Sequence, residues 1–554
     1  MSNDSTISPA HPTTPRRSRA DQTALLDTFQ QAQLAEGLSQ RLFAQQQALP
    51  RSTLQRWRQR QQRLALDPVA ACFFESPQGL AFLHRLVVAA HLVFTLQGSA
   101  GLRLIGDFLR LCQLDRVVAS SYGSRHQFAT FLEQAVVSFA AQQRQQLAQD
   151  MVPKEIAVAE DETYHPAICL VAIEPVSNFL LAEQYAERRD AATWDAALTA
   201  ALEGLPVTVA VAVGDEAKGL LAHARQGLGV PHSPDLFHVQ HEVSRGTAPV
   251  LAAQSRHAQH SLEQMQQQQA AAQAARQQAA TQPRGPGHPI DHERRVREAE
   301  AAVTAATRGL SDCQGRQEQA REAIRGLAEA DHPFDLDSGR PQGAPVVERR
   351  LLEQFARLEM LAKTAALPEA SQQRTAKARR VLPGLVAAVA FFWGRLRCAA
   401  AQRYGKEAWT WVERLVAGMY LARVAAKSRQ TERRGALRRL SEQCLGEARS
   451  TGLEPPGGWQ EAERWAREWS SWFQRSSSCV EGRNGQLALR HHSLHRLSRR
   501  KLEVLTAVHN YWLQRDGTTA AERFFGKKPA ELFGWLLERL PLPARPASRR
   551  QKAA

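Results

Sequence analysis

Short apolar runs that end in carboxylates stand out in the hydrophobic pattern of the chain. Residues 156–159 (IAVA) lead directly into Glu160, Asp161 and Glu162, and a second apolar segment begins at Ala167. This pattern predicts a β-hairpin with carboxylates at its mouth. Carboxylates are seldom placed against a core unless a cation or another partner accompanies them.

The same pattern recurs further along the chain. Residues 205–213 (LPVTVAVAV) are rich in β-branched residues, predict a strand, and lead through a glycine to Asp215. A third apolar segment, residues 236–239, carries His238 and is followed by His241. Two interpretations are open. The segment is either a core strand whose histidines are hydrogen-bonded within the core, or an element that brings His238 close to the carboxylates.

The N-terminal region, residues 21–65, has the pattern of a helix, a short turn and a basic second helix. Ser39 can cap the first helix, a Leu-Pro pair forces the turn, and Leu54 and Trp57 fall on the inward face of the second helix. This arrangement predicts a helix-turn-helix DNA reader. Its candidate DNA contacts are Arg51, Ser52, Gln55, Arg56 and Arg58. Residues 66–150 predict a further helical domain, which is either a second DNA-reading module or a packing domain.

Residues 246–470 are almost entirely helical in character. Two long helical patterns on either side of residues 283–289 (PRGPGHP) predict a protruding antiparallel coiled-coil hairpin over about residues 250–330. Disorder of its Gln-rich half is the alternative. The two chain ends, residues 1–20 and the basic residues 541–554, are expected to be disordered tails.

A third acidic residue, Glu481, lies in the first turns of a helix predicted after a run of serines. Asn484 shares its face by the i, i+3 rule. Taken alone, Glu481 is a solvated surface residue. The same region carries candidates for holding a phosphate backbone, namely Arg483, Arg490, Arg496, Arg499, Arg500 and Lys501.

The charge of the chain changes the picture more than its apolar content does. The 71 Lys and Arg residues against 55 Asp and Glu leave a net charge of +16, which suits a polyanionic partner, most often nucleic acid. The alternative is a protein that is basic without such a partner. The seven scattered cysteines contain no C-x-x-C pair and indicate a reduced, cytosolic protein. The longest apolar run, residues 80–96, is interrupted by polar residues and predicts a buried helix, so no membrane is expected.

Four segments together resemble the DDE transposases of bacterial insertion sequences, in particular members with a large helical insertion between the second Asp and the Glu. They contain Asp161 (AEDETYH), Asp215 (VGDEAKGL), residues 235–243 (DLFHVQHEV) and Glu481 (CVEGRNGQLALRHH). The resemblance covers about residues 155–245 and 470–535.

This resemblance implies an α+β or α/β fold: an RNase H-like mixed sheet flanked by helices, with helical N-terminal domains and a large all-helical insertion. Residues 151–245 and 471–540 are then the two parts of the catalytic core, and residues 246–470 are the insertion. The resemblance also implies a bacterial cytoplasmic protein associated with the nucleoid.

The resemblance further implies that Asp161, Asp215 and Glu481 are catalytic and hold two Mg²⁺ ions, with Mn²⁺ as a possible substitute. His238 and Asn484 are expected to support them. The neighbouring carboxylates Glu160, Glu162 and Glu216 are alternatives for the two aspartates.

The partners that the resemblance implies are double-stranded DNA, as inverted-repeat ends and as target, and at least one further copy of the chain. The expected reaction is phosphodiester hydrolysis followed by strand transfer. The competing functions are a transposase-derived DNA-binding protein without catalysis and an RNase H-like nuclease.

Overall fold

The structure is a computed structural model. It describes residue 17 and residues 19–62, 68–164, 166–281, 290–494, 497–542 and 544–546. Several sequence predictions lie outside the described residues, namely those for residues 1–16, for the hairpin break at 282–289, for Arg496 and for residues 547–554.

Three short helices form a small N-terminal unit with its own core. These helices are α1 (Arg19–Glu36), α2 (Gln40–Gln46) and α3 (Arg51–Gln62). The Ser39 hydroxyl caps α2 by accepting a hydrogen bond from the backbone N–H of Leu42 at 3.3 Å. Leu54 and Trp57 are buried, so the inward face predicted for α3 is confirmed.

A second helical block packs beneath the sheet. Its helices are α4 (Pro68–Glu75), α5 (Pro77–His91), which continues into a π-helical turn, α6 (Leu102–Leu111) and α7 (Tyr122–Gln149). Buried side chains of this block, such as Leu83 and Phe139, share one hydrophobic cluster with the sheet residues Val158 and Leu170. Of the two alternatives for this region, the contacts therefore support a packing role.

The strands of the described chain form one mixed sheet. They are β1 (Lys154–Tyr164), β2 (Ile168–Glu174), β3 (Phe179–Ala186), β4 (Val207–Gly214) and β5 (His232–Pro234). Their order is β3-β2-β1-β4-β5, with antiparallel pairing among the first three and parallel pairing of β1 with β4 and β4 with β5. Two short helices, α8 (Ala191–Leu202) and α9 (Lys218–Ala222), flank β4 in the chain. The α+β class is confirmed.

The core-strand interpretation of residues 236–239 is wrong. Helix α10 (Leu236–Thr281) begins there, and the strand is β5, which lies just before it. The Asp235 carboxylate accepts a hydrogen bond from the Phe237 N–H at 2.7 Å and so starts the helix. The buried residues Leu236, Val239 and Val243 are spaced three and four apart, which is a helical period.

Two long antiparallel helices and a compact helical bundle follow the sheet. Helix α11 (His292–Ala330) runs back along α10, with Gln240 donating to the Ile324 carbonyl at 2.7 Å near the base of the pair. The predicted boundary at residues 245/246 falls inside α10. The bundle consists of α12 (Ala344–Thr364), α13 (Glu369–Arg379), α14 (Leu382–Tyr404), α15 (Trp409–Lys427), α16 (Thr431–Arg449) and α17 (Gly458–Trp472).

The chain then returns to the sheet through four helices, α18 (Ser478–Leu494), α19 (Arg499–Tyr511), α20 (Ala520–Phe525) and α21 (Leu532–Arg539). The described part of the C-terminal tail is packed, which corrects the prediction of disorder from residue 541 onward. Ala544 accepts a hydrogen bond from Ala119 at 2.7 Å, and Arg545 pairs with the buried carboxylate of Glu75. A buried carboxylate is costly without a cation beside it, so the ion pair with Glu75 fixes the position of Arg545.

Two helical stretches in the described chain are long and apolar enough to cross a membrane, Pro77–Gln97 and Glu369–Tyr404. Core helices of soluble proteins pass the same test, and Leu80, Leu83 and Val87 of the first stretch lie in the main core. The finding is therefore weak evidence for a membrane span.

Strand β3 is an edge of the sheet, and the buried side chain of Asn510 on α19 covers part of it. Its carbonyl oxygen accepts from the Leu180 N–H at 2.8 Å, and its amide donates to the Leu180 carbonyl at 3.0 Å. This pair of bonds satisfies backbone groups that the sheet leaves open.

Replacing Asn510 by Leu is expected to destabilise the sheet edge, because two buried backbone groups lose their partners at about 1–3 kcal/mol each. The thermal midpoint should fall, and the Leu180 amide should exchange its hydrogen faster. The matched control is Arg515→Leu on the exposed loop nearby. Unchanged exchange at Leu180 would contradict the role assigned to Asn510.

Candidate metal centre

The three consecutive carboxylates of strand β1, Glu160, Asp161 and Glu162, lie in different surroundings. Side chains alternate between the two faces of a strand, so Glu160 and Glu162 share one face and Asp161 points to the other. Glu162 accepts from the Trp194 indole N–H at 3.3 Å and pairs with Arg189 at 3.2 Å. Both neighbours of Asp161 are thus engaged on the opposite face of the sheet.

Glu160 belongs to a buried carboxylate–imidazole–carboxylate chain. The His223 Nε2 lies 3.0 Å from the Glu160 carboxylate, and its Nδ1 contacts Asp195. Burial raises the pKa of Glu160, and the adjacent His223 opposes that rise. Burial acts to lower the pKa of His223, but its contacts with Glu160 and Asp195 raise it overall. Both ring nitrogens of His223 contact a carboxylate, so Glu160 is committed to this contact.

Asp161 lies on the face that meets α18. Its Oδ2 accepts from the Asn484 amide at 2.8 Å, and its Oδ1 accepts from the Glu162 N–H at 2.8 Å. The pKa of Asp161 is raised to about 6, chiefly by burial and also by the negative charges of Asp215 and Glu481, while that backbone N–H and His238 lower it. Asp215 and Glu481 therefore lie close enough to Asp161 to influence its ionisation.

Asp215 reaches this place through the register of two parallel strands. Ala159 on β1 pairs with Val213 on β4, and Asp161 and Asp215 each lie two residues further along. Asp215 accepts a hydrogen bond from the Ala217 N–H at 2.9 Å, which fixes the turn after β4. Glu216 is exposed and lies 4.0 Å from the ring of His232, outside this arrangement.

Glu481 and His238 meet at the start of α18. The His238 Nε2 lies 3.5 Å from the Glu481 carboxylate, so the histidine is placed beside the carboxylates. Burial and the negative charge of Asp235 raise the pKa of Glu481, and His238 lowers it. Of the two interpretations of His238, the structure supports the one that brings it to the site.

Asp235 is the residue that sequence reasoning missed. It is buried, and its Oδ2 accepts from both the N–H and the hydroxyl of Ser477. Ligand atoms of Asp235, His238 and Glu481 all lie within 4.8 Å of one another. The available signal was a helix-capping Asp directly before an apolar period, with His238 three residues later on the same turn.

The donors at this place suit a divalent cation. Carboxylate oxygens are the preferred ligands of Mg²⁺, and an added imidazole is compatible with Mn²⁺. Within the described chain, His238 Nε2 and Asn484 Oδ1 are buried atoms without a hydrogen-bond partner. Carboxylates that raise the pKa of Asp161, beside unused polar atoms, fit a bound cation.

Most of the basic residues predicted to hold a phosphate backbone make contacts inside the protein. The prediction for Arg483 is wrong: it is buried and donates to both oxygens of Glu183, at 2.6 and 2.7 Å. Arg483 lies on the inward face of α18 with Val480 and Leu487, and the buried Glu183 requires a cation.

Other members of the same set are also directed inward. Arg490 donates to the carbonyls of Gln97 and Gly98, at 2.8 Å each. Arg500 and Lys501 both pair with Glu133, at 3.4 and 3.2 Å. Arg499 is exposed and stays a candidate for contact with DNA.

The predicted DNA contacts on α3 lie at the surface. Arg51, Ser52, Gln55 and Arg56 are exposed, opposite the buried Leu54 and Trp57. Arg58 is half-buried, with its guanidinium 5.9 Å from the ring centre of Phe29.

Comparison with known proteins gives a partial match to a family of unknown function (DUF6399), over residues 412–552. The matched segment runs from α15 to the C-terminal tail and includes Glu481. It begins after the strands that carry Asp161 and Asp215 and therefore does not include them. The searches against curated proteins and against solved structures returned no match.

The raised pKa of Asp161 predicts a pH-dependent effect of its neutral replacement. Ionising a carboxyl group whose pKa in the folded protein is raised costs stability, and this cost is present above about pH 6. In metal-free buffer, Asp161→Asn should therefore raise the thermal midpoint at pH 7.5, by roughly 2–4 °C for each kcal/mol relieved.

The same substitution should have little effect at about pH 3, where Asp161 is protonated in both the folded and the unfolded protein. Thermal unfolding of both proteins across this pH range measures the difference. The exposed Glu503→Gln, which also removes one carboxylate, is the control. An Asp161→Asn effect of equal size at both pH values would contradict the assignment.

Proposed function

We propose that the protein is a DNA transposase of the DDE type, which cleaves and transfers DNA strands at a divalent metal centre. The observation that carries the proposal is the register of β1 and β4, which sets Asp161 and Asp215 at neighbouring positions, beside the bond from Asn484, one turn after Glu481 on α18, to Asp161. Carboxylates brought near one another and partly removed from water are costly unless a cation accompanies them.

The sheet supports an RNase H-like core. In the order β3-β2-β1-β4-β5, the three antiparallel strands precede the two parallel ones, and Asp161 lies on the central strand. This is the mixed sheet that the sequence resemblance implies, with the helical insertion leaving after β5 and returning before α18.

The chemistry required is an in-line attack on a phosphodiester. Asp161, Asp215 and Glu481 would hold two Mg²⁺ ions. When bound, these ions would supply activation of the attacking hydroxyl and stabilisation of the leaving oxygen. Attack by water gives a nick, and attack by a DNA 3′-OH gives strand transfer.

The supporting residues orient these ligands. Asn484 donates to Asp161 Oδ2 and so fixes the rotation of that carboxylate. His238 lies beside Glu481, where it can donate a proton or bind a cation through Nε2. Asp235 accepts a hydrogen bond from Ser477 and so fixes the start of α18. The position of Glu481, in the first turn of that helix, is thereby fixed as well.

The proposed partners follow from the same function. The exposed polar residues of α3 are proposed to read the ends of the element, and the net charge of +16 suits DNA as the substrate. We further propose action in the bacterial cytoplasm, as at least a dimer, because two DNA ends must be brought together.

Each of the variants Asp161→Asn, Asp215→Asn and Glu481→Gln is expected to lower Mg²⁺-dependent DNA cleavage by at least about 10²–10³-fold, since each removes a metal ligand worth several kcal/mol in the transition state. Binding of the same DNA in EDTA should be largely retained. A nicking assay on labelled duplexes measures the first quantity, and fluorescence anisotropy measures the second.

Glu162→Gln is the matched control, because it removes a carboxylate from the next position of β1 but on the other face of the sheet. It should leave cleavage within a few-fold of the wild type. Full activity in any of the three variants rejects that residue as a ligand. Joining of a cleaved 3′ end to a second duplex separates a transposase from a nuclease.

Replacing Arg56 and Arg58 by Ala is expected to weaken recognition of the element's ends by about 10–100-fold, the effect of losing 1–3 kcal/mol of contact with bases. Binding to an end duplex and to a scrambled duplex measures the specific part. The double variant Arg294→Ala/Arg321→Ala, on the exposed face of α11, is the charge-matched control. Unchanged end binding would place the DNA reader elsewhere.

A further inference from the structure

The bundle of the helical insertion carries an arginine-rich surface that the proposed metal centre and α3 do not use. We call it the arginine face, and it consists of Arg429, Arg434, Arg438 and Arg439, at and within the first half of α16. Arg434 is half-buried and the other three are exposed.

These four arginines have no acidic partner in the described chain. Some other arginines of the bundle do, as in the pairs Arg403–Glu461, Arg414–Glu447, Arg433–Asp337 and Arg449–Glu463. For the arginine face, no carboxylate oxygen of the described chain lies within 4.0 Å of a guanidinium nitrogen.

The charges on this surface repel one another. Residues 427–442 contain six cationic side chains and two carboxylates, a net charge of 6 − 2 = +4. Arg434 and Arg438 are one turn apart on α16, and like charges at this spacing destabilise a helix. An external polyanion would relieve this repulsion.

The chemistry of the surface fits a phosphate backbone. A guanidinium presents a planar fork of donors that matches phosphate oxygens. Arg434 and Arg439 are five residues apart on α16, about 7.5 Å along the helix, a length on which duplex DNA carries about four negative charges.

The residues between these arginines are small. Gly435 and Ala436 let a flat backbone approach closely, and no large apolar side chain of residues 427–442 is exposed. Unpaired bases, acyl chains and the centres of protein interfaces require such apolar or aromatic side chains.

The arginine face is connected to the proposed metal centre through buried contacts. Arg423 on α15, one turn before the end of that helix, donates to the Phe473 carbonyl at 2.8 Å. Two residues beyond Phe473, the backbone carbonyl of Arg475 accepts from the Leu236 N–H at 2.9 Å. The N–H of Ser477 then donates to the Asp235 carboxylate. The end of α15 that leads into the arginine face therefore packs on the segment that precedes Glu481.

We propose that the arginine face is a second binding surface for double-stranded DNA, which holds the sugar-phosphate backbone independently of sequence. The proposal rests on the proposed function for the identity of the polyanion. Sequence-independent binding suits target DNA or the DNA that flanks an element's end.

The test is the triple variant Arg434→Ala/Arg438→Ala/Arg439→Ala, measured by anisotropy on a scrambled 30-base-pair duplex in EDTA across a range of salt. Each lost phosphate contact should lower the slope of log K against log salt by about 0.9, so a decrease of about 2–3 is expected. Affinity should fall by at least about tenfold at low salt. A triple Lys variant, which keeps the charges, should retain most of the slope.

The control is Arg294→Ala/Arg321→Ala/Arg325→Ala on α11, which removes the same charge from exposed arginines that pair with Glu298 and Glu318. An unchanged slope in the test variant, or an equal decrease in the control, overturns the proposal.

If the duplex is bound through the arginine face but Mg²⁺ produces no cleavage, the surface stands and the proposed function falls. If cleavage persists with an unchanged slope, the proposed function stands and the surface falls. Loss of binding only to duplex RNA or polyglutamate overturns DNA as the partner.

Discussion

The mutual repulsion of carboxylates is the constraint on which the centre of this structure depends. Strand β1 carries three in succession, and the alternation of the strand divides them between two faces of the sheet. Glu160 contacts His223, and Glu162 pairs with Arg189 and accepts a hydrogen bond from the Trp194 indole. Asp161 alone faces further carboxylates, which raise its pKa together with burial. The fold thus gives the flanking carboxylates partners of their own, and the proposed metal centre uses the middle one.

The large helical insertion is compatible with this centre because it leaves and rejoins the core at one point. The chain leaves at Leu236, and the Leu236 N–H donates to the carbonyl of Arg475, where the chain returns, at 2.9 Å. The bond between Ser477 and Asp235 fastens the same junction from its other side. The bundle can therefore be large without displacing β1, β4 or α18, because the two ends of the insertion are bonded to each other where they join the core. The same bonds set the position of Glu481, so the junction is part of the proposed site as well as of the fold.

Local patterns in the sequence predicted what depends on neighbours in the chain. The strands before Asp161 and Asp215, the inward face of α3 and the antiparallel long helices all follow from hydrophobic period and turn residues. The errors came from partners that lie far away in the sequence. Arg483 looks like a surface cation, but its partner Glu183 is 300 residues earlier. Residues 236–239 look like a strand, but the capping Asp235 starts a helix there. Asp235 itself was missed because its second partner, Ser477, lies 242 residues later.

The same reasoning changes how the net charge of the chain is interpreted. A charge of +16 is a property of the whole sequence, but many of its cations balance buried or half-buried carboxylates and carbonyls. Arg483, Arg490 and Lys501 each have internal partners and cannot contribute fully to an outer field. What attracts a polyanion is the subset of cations that is both exposed and unpaired, and in this fold that subset includes residues of α3 and of the start of α16. A surface whose charges repel one another in the free protein gains more from binding a polyanion than one whose charges are already paired.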